Sequence, residues 1–244
     1  MNKKQREHKV SKWYSSGFFA ATLMVNILEL RALQDYFKVV KNFIVTEEKR
    51  FCKKIDSAVR KKGLSQEELD SYYEHHQDEF YKWNNSFPNI ILSTVLIASC
   101  AVFERNLAET CKDLQQNKGM VVTKRLEFIK EQNALNQARI FLSDNFSIFI
   151  KDFFAWGKIN QYFLIRHCFA HCCGDMELMQ RGKVEDLRKA IRKLRTTGVE
   201  EDQIGRVKLS STFIENVISD MMSFWEALES AFKENAIIGP KYWP

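Results

Sequence analysis

The stretch Leu164-Ile165-Arg166-His167-Cys168-Phe169-Ala170-His171-Cys172-Cys173-Gly174-Asp175 decides how the chain folds on paper. It holds one arginine, two of the five histidines and three of the six cysteines, and it runs into a glycine, a common helix stop. Upstream, Phe154, Trp156, Tyr162, Phe163 and Ile165 are expected to form a buried helix face. A guanidinium and two imidazoles at the end of an apolar helix are costly unless they have partners or a task.

Helical spacing extends outward from this stretch in both directions. Leu23, Ile27, Leu30, Leu33 or Gln34, Phe37, Val40 and Ile44 recur at three and four, which predicts a long amphipathic helix from near Lys12 to beyond Phe43. The pattern continues through Glu47–Lys62 to Gly63. Ser65-Gln66-Glu67-Glu68 is a capping box opening a helix with Tyr72, Tyr73, Phe80 and Trp83 on one side. Asn84–Pro88 is a predicted break, with Pro88 in the next first turn. Ile90–Cys111 is nearly all apolar at first, as expected of the central buried helix. A loop follows at Gln115–Gly119, then a short helix at Lys124–Glu131. Ser143-Asp144 is expected to cap a helix through Phe154, and Gly157 to separate it from the histidine helix, Lys158–Cys173. Past a loop at Gly174–Gly182, Val184–Leu194 is a basic amphipathic helix ended by Thr196-Thr197-Gly198. Arg206–Ser210 alternates like a short extended piece, and Ser211 caps a last helix, Phe213 to about Phe232. Ile214, Val217, Met221, Phe224, Trp225 and Leu228 face inward there. Ile237–Pro244 forms an irregular tail.

Composition narrows the class. With 45% hydrophobic residues and 19 Phe, 244 residues can bury one sizeable core. Nine Gly and three Pro leave few turns and favour helices over many strands. The longest apolar runs, Gly17–Leu28 and Ile90–Phe103, fall short of the roughly 20 residues that span a bilayer, and the basic N-terminus lacks the apolar core and cleavage site of a signal peptide. Three of the six cysteines crowd into Cys168–Cys173, unlike a secreted disulfide framework. The expectation is therefore a cytoplasmic protein with no membrane partner. The formal charge of +6 suits a polyanion such as RNA. P-loop, nucleophile-elbow, dinucleotide and H-E-x-x-H patterns do not occur in the sequence.

Arg166 and His171 form R-x4-H, with polar His167 directly after the arginine, small Ala170 before the second histidine, and an aromatic/aliphatic helix leading in. This resembles the motif of HEPN domains, a superfamily of small α-helical proteins, many of them metal-independent ribonucleases. Val102-Phe103-Glu104 matches the apolar-Phe-Glu helix that packs beside the motif in that family. The resemblance implies an all-α HEPN-like helical bundle in a single domain over residues 1–244, with at most a short extended segment. Residues 1–63 would form an N-terminal helical extension, 64–236 the HEPN-like core and 237–244 the tail. It further implies a homodimer that lines one cleft with two copies of the motif, an RNA substrate, and restraint by an antitoxin, commonly a nucleotidyltransferase. The function implied is that of a toxin or antiphage defence factor.

Metal-independent RNA cleavage needs a base for the ribose 2′-OH and a cation for the charge that builds on phosphorus. By resemblance, His171 is the base, Arg166 the cation, and His167 a second polar group that orients phosphate or shares the proton, with no cofactor. Glu104 is a supporting residue. Arg181, Lys183, Arg188, Lys189 and Arg192, on the basic helix that follows, are candidates for RNA phosphates. Three alternatives stand beside this reading. At about 100° per residue, Arg166 and His171 point about 140° apart, so each can instead pair with a carboxylate such as Glu104 or Asp175 inside the bundle. His167/His171 and Cys168/Cys172, each four apart, have metal-ligand spacing but lack a second ligand cluster; no metal is expected. A non-catalytic HEPN-type module that binds nucleotide, RNA or a partner protein is the competing function.

Overall fold

The computed structural model describes residues 18–63, 65–116, 122–131 and 133–235. The long helix α1 runs Phe18–Lys62, followed by α2 (Gln66–His75), α3 (Gln77–Tyr81), α4 (Phe87–Gln116), α5 (Ala134–Phe146), α6 (Trp156–Cys172) and α7 (Arg181–Leu194). Strands β1 (Val199–Glu201) and β2 (Val207–Leu209) form a two-stranded antiparallel hairpin with Val199 opposite Leu209, and α8 (Ser211–Glu234) closes the described chain. The all-α bundle expected from helical periodicity is present, and the extended piece at Arg206–Ser210 is β2. Its partner β1 had no counterpart in the sequence pattern.

α4 is the centre of the bundle, packed against α1, α5, α6 and α8. Its Leu96, Cys100 and Phe103 are fully buried, as are Trp225 and Phe224 of α8 and Ile159, Tyr162 and Ile165 of α6. The Phe103 ring meets Phe224 edge-on at 5.0 Å and Trp225 at 5.7 Å, so the apolar-Phe-Glu helix and the last helix share one aromatic centre. α1 is integral to this core. Leu23, Leu30, Phe37 and Ile44, spaced every seven residues, are its buried seam. α1 runs antiparallel to α4. Asn26 donates to Thr110 at 3.3 Å, and Glu29 accepts from Arg105 and Asn106 at 2.6 and 2.8 Å. These polar bonds fix the register of two otherwise apolar faces.

Local chemistry explains most boundaries and several departures. The capping box at Ser65 forms as expected, with Glu68 bonded back to the Ser65 amide. The break expected at Asn84–Pro88 is instead a π-helical turn, Lys82–Ser86, that carries the helix on into α4. A wider turn accommodates Pro88, which has no N–H to offer. Ser143-Asp144 starts no helix. Asn133 caps α5 through the Leu135 amide, and the helix runs through Ser143, whose hydroxyl bonds Ile140 O at 3.0 Å. Only single 3-10 turns occupy Leu126–Phe128 and Ile150–Asp152. Gly157 lies inside the first turn of α6, and α7 starts at Arg181. Ser210, not Ser211, caps α8 by accepting from the Phe213 amide. The loop at 117–119 and the tail 237–244 lie outside the described residues.

Continuity through the π turn also revises the bilayer estimate. Gln77–Gln116 is one helix of 40 residues with a window of mean hydropathy 1.8, long and apolar enough by length and composition to cross a membrane. The apolar run Ile90–Phe103 is bounded by Asn89 and Glu104, but the helix that carries it continues past both. A core helix meets the same criterion, and Leu92, Val95, Leu96, Cys100, Phe103 and Leu107 are buried in the bundle.

Candidate functional site

α6 enters the core through Trp156, Ile159, Tyr162 and Ile165, which recur every three residues and are all buried. The Tyr162 hydroxyl donates to Asp220 of α8 at 2.5 Å, and Lys158 reaches the same carboxylate at 3.2 Å. Burial, then the Asp220 carboxylate, push the Tyr162 phenol well above its ordinary range. These contacts set the rotation of α6 and so the direction of everything at its C-terminal end.

That end is closed by a left-handed pair. Cys173 has φ 51°, Gly174 has φ 83°, and the Gly174 amide bonds Cys168 O at 3.3 Å in a Schellman-type cap. A Cβ on Gly174 would sit 2.7 Å from Phe169 Cε1, so glycine is required by space as well as by φ. The chain then crosses to the hairpin. Val207 N donates to Gly174 O at 2.9 Å and Met176 N to Gly205 O at 3.1 Å. The last turn of α6 is therefore held from both sides.

On that turn the structure brings His167 and His171 together. Four apart on one face, their rings lie 4.5 Å centroid to centroid at 51°. His171 is exposed, and His167 is partly buried. Burial holds the His167 imidazole below its usual 6.5, and Lys183, His171 and Arg166 push it the same way. Lys183, on the first turn of α7, is thus near enough for its charge to act on His167. Arg166 points elsewhere, as the 140° offset requires. It acts, with Glu104, on the buried Cys100 thiol of α4, and its Nε is buried without a hydrogen-bond partner. Glu104 is part-buried in the same interface. Asp175 forms its ion pair with Arg206 at 3.9 Å, not with His171.

The basic face of α7 divides in two. Arg188 grips Glu201 of β1 through Nε and Nη2 at 2.9–3.2 Å, Arg192 meets Glu185 at 3.2 Å, and Lys189 meets Asp186 at 3.6 Å. Arg181 and Lys183 have no ion pair among the described residues. Arg181 and Arg188 border a cleft of about 300 Å³ between Met176, Met179, Val184 and Gly205, so one cation in that cleft is unpaired. Cys168 and Cys172 are buried, and burial raises the Cys168 thiol to about 12. A thiol in that condition is a small core group rather than a ready thiolate ligand. Among the described residues, no group of three or more His, Cys, Asp or Glu is placed to hold a metal ion.

The sequence named Arg166, His167, His171, Glu104 and the basic residues of α7 but grouped them by chain order, and it did not foresee Asp220 or Glu201 as partners. It missed Cys100 beneath Arg166, which only the packing of α4 on α6 supplies, and the hairpin bonds to Gly174 and Gly205. Val199-Glu200-Glu201, one apolar residue before two acidic ones, has no alternation to signal the latter. Compared with protein-family models, curated proteins and solved structures, the chain matches none.

Proposed function

We propose that the protein is a HEPN-type, metal-independent endoribonuclease acting as a toxin or antiphage defence factor. The observation that supports this best is the close, tilted pair of His167 and His171 on one capped turn, with Lys183 in no ion pair among the described residues. His171, exposed at the helix end, takes the proton from the ribose 2′-OH. His167, held toward its neutral form, receives or relays that proton. The 2′-oxygen attacks phosphorus as the bond to the 5′-oxygen breaks, the histidine pair returns the proton to that leaving oxygen, and the products are a 2′,3′-cyclic phosphate and a 5′-OH. Lys183 and Arg181 hold the flanking phosphates.

Arg166 stabilises the phosphorane charge with its guanidinium fork. Its unpartnered Nε is consistent with a group kept for a ligand. Because Arg166 and His171 leave opposite sides of α6, one chain does not aim both at one phosphate. The reading therefore includes a homodimer in which the arginine of one copy completes the histidine pair of the other. An antitoxin of nucleotidyltransferase type would cover the same turn.

Incubating the purified chain with RNA in EDTA tests this. Cleavage ending in 2′,3′-cyclic phosphate, lost in His171→Ala, is the expected result. An intact substrate, or equal cleavage by the variant, sinks it. The competing non-catalytic module draws support from the inward course of Arg166 toward Cys100 and Glu104. It predicts RNA binding without cleavage.

A further inference from the structure

α1 carries a second apolar seam that the bundle leaves uncovered. Val25, Leu28, Ala32, Tyr36, Val39 and Phe43 follow at spacings of three and four, which at 100° per residue confines them to about 80° of the helix. The buried seam, Leu23, Leu30, Phe37 and Ile44, is centred about 150° away. Val25, Leu28, Tyr36, Val39 and Phe43 are 45–67% exposed, and Ala32 is exposed too. Single exposed apolar residues are ordinary, but an aligned row about 27 Å long is not.

We propose that this seam pairs with its own copy, antiparallel, about a two-fold axis that crosses the exposed face midway between Ala32 and Tyr36. Two independent features of the row select this occupant and this direction. First, its sizes are self-complementary on reversal. Val25 then faces Phe43 of the second copy, Ala32 faces Tyr36, and Leu28 faces Val39, so each bulky ring meets a small or medium side chain. A parallel pair would set Tyr36 on Tyr36 and Ala32 on Ala32. Second, Arg31 and Asp35 lie on the same edge of the row. Only in an antiparallel pair does an edge face its own equivalent, which puts each Arg31 beside the Asp35 of the other copy on both sides of the axis. Among the described residues Asp35 meets only the exposed Lys38, at 3.2 Å, and Arg31 has no ion pair. Such an interface is isologous and closes.

α1 packs chiefly on α4 and α8, whereas the histidine end of α6 packs on α7. Pairing through α1 therefore leaves the histidine turn open and is independent of the ribonuclease reading and of the cleft pairing in it. If both pairings operate, α1 joins cleft dimers into a larger assembly.

Light scattering on the sized full chain at micromolar concentration tests the seam. The parent should have at least twice the 28.7 kDa of one chain. Tyr36→Glu/Val39→Glu, changed only at exposed positions, should halve that mass at unchanged helicity. A parent at 28.7 kDa, or a doubly charged variant with the parent's mass, overturns the proposal, as does a monomer whose seam instead binds phosphatidylcholine vesicles. Direction is read separately, by disulfide trapping in a Cys52→Ser/Cys173→Ser background. Val25→Cys/Phe43→Cys should cross-link into covalent dimers on mild oxidation. Val25→Cys alone should not, because the two copies of residue 25 lie about 27 Å apart along the axis. Cross-linking by the single variant, or none by the double, overturns the antiparallel pairing even where the charged variant misfolds.

Discussion

The last turn of α6 and the outer face of α7 are both basic and lie side by side, yet their charges are treated differently. On α7, Arg188, Lys189 and Arg192 each meet a carboxylate of this chain. On α6, His167 and His171 meet each other, with Lys183 alongside and Arg166 Nε unpartnered. A charge answered at home is a solvated surface pair worth little to stability and little to a ligand. Unanswered cationic groups, kept close together, are the ones a phosphate would repay.

The largest test of that contrast is His171→Ala. Under the proposed function it lowers cleavage about 10²–10⁴-fold, the usual range for a general acid–base group, while the melting temperature stays near that of the parent because the side chain is exposed. A variant with full activity, or one that unfolds, removes the distinction. One and a half turns back on the same helix the balance inverts. Ile165→Ala should cost about 2–5 kcal/mol of stability in denaturant titration, since Ile165 is fully buried. A loss under 1 kcal/mol would mean that α6 is not anchored as described. Next comes RNA affinity. Lys183→Ala should weaken binding and reduce the salt slope by about one unit, whereas Arg188→Ala, already neutralised by Glu201, should change the slope less. Equal slopes would erase the difference between the two helices.

The smallest effect is in pH. The His167 imidazole is held below 6.5 in the folded chain, so the unfolded chain binds more protons between that lowered value and 6.5. Stability contributed by the neutral ring is present above pH 6.5 and is lost as pH falls through the folded value. His167→Gln should flatten this slope in melts taken from pH 7.5 down to 5. An unchanged slope would assign it to other groups.

Much of the fold was legible because burial imposes a period. Leu23, Leu30, Phe37 and Ile44, or Ile214, Val217, Met221, Phe224 and Trp225, announce their helices and their inward faces, and Ser65 with Glu68 announces a cap. Places where local chemistry has two outcomes were not legible. Pro88 can end a helix or sit in the first turn after a π turn, and Ser143 can cap a helix or bond a carbonyl within one. The site was legible in kind but not in grouping. Residues 166, 167 and 171 are neighbours in sequence, yet rotation at 100° per residue sends Arg166 toward Cys100 while the two histidines meet. The partners of α7 come from β1 and from its own first turns, and only Glu185 and Asp186 could be foreseen.

The bond from Val207 to Gly174 O, with its neighbour from Met176 to Gly205 O, has its main consequence in time. Both cross more than 25 residues of chain, so the turn that presents His171 lacks its outer support until the hairpin has been synthesised and folded. A nascent chain released before Val207 would carry every histidine and arginine of the site with the Gly174 carbonyl bonded only to water. Under the proposed function, such a dependence would delay competence until the chain has been made past Val207 and the hairpin has closed on α6.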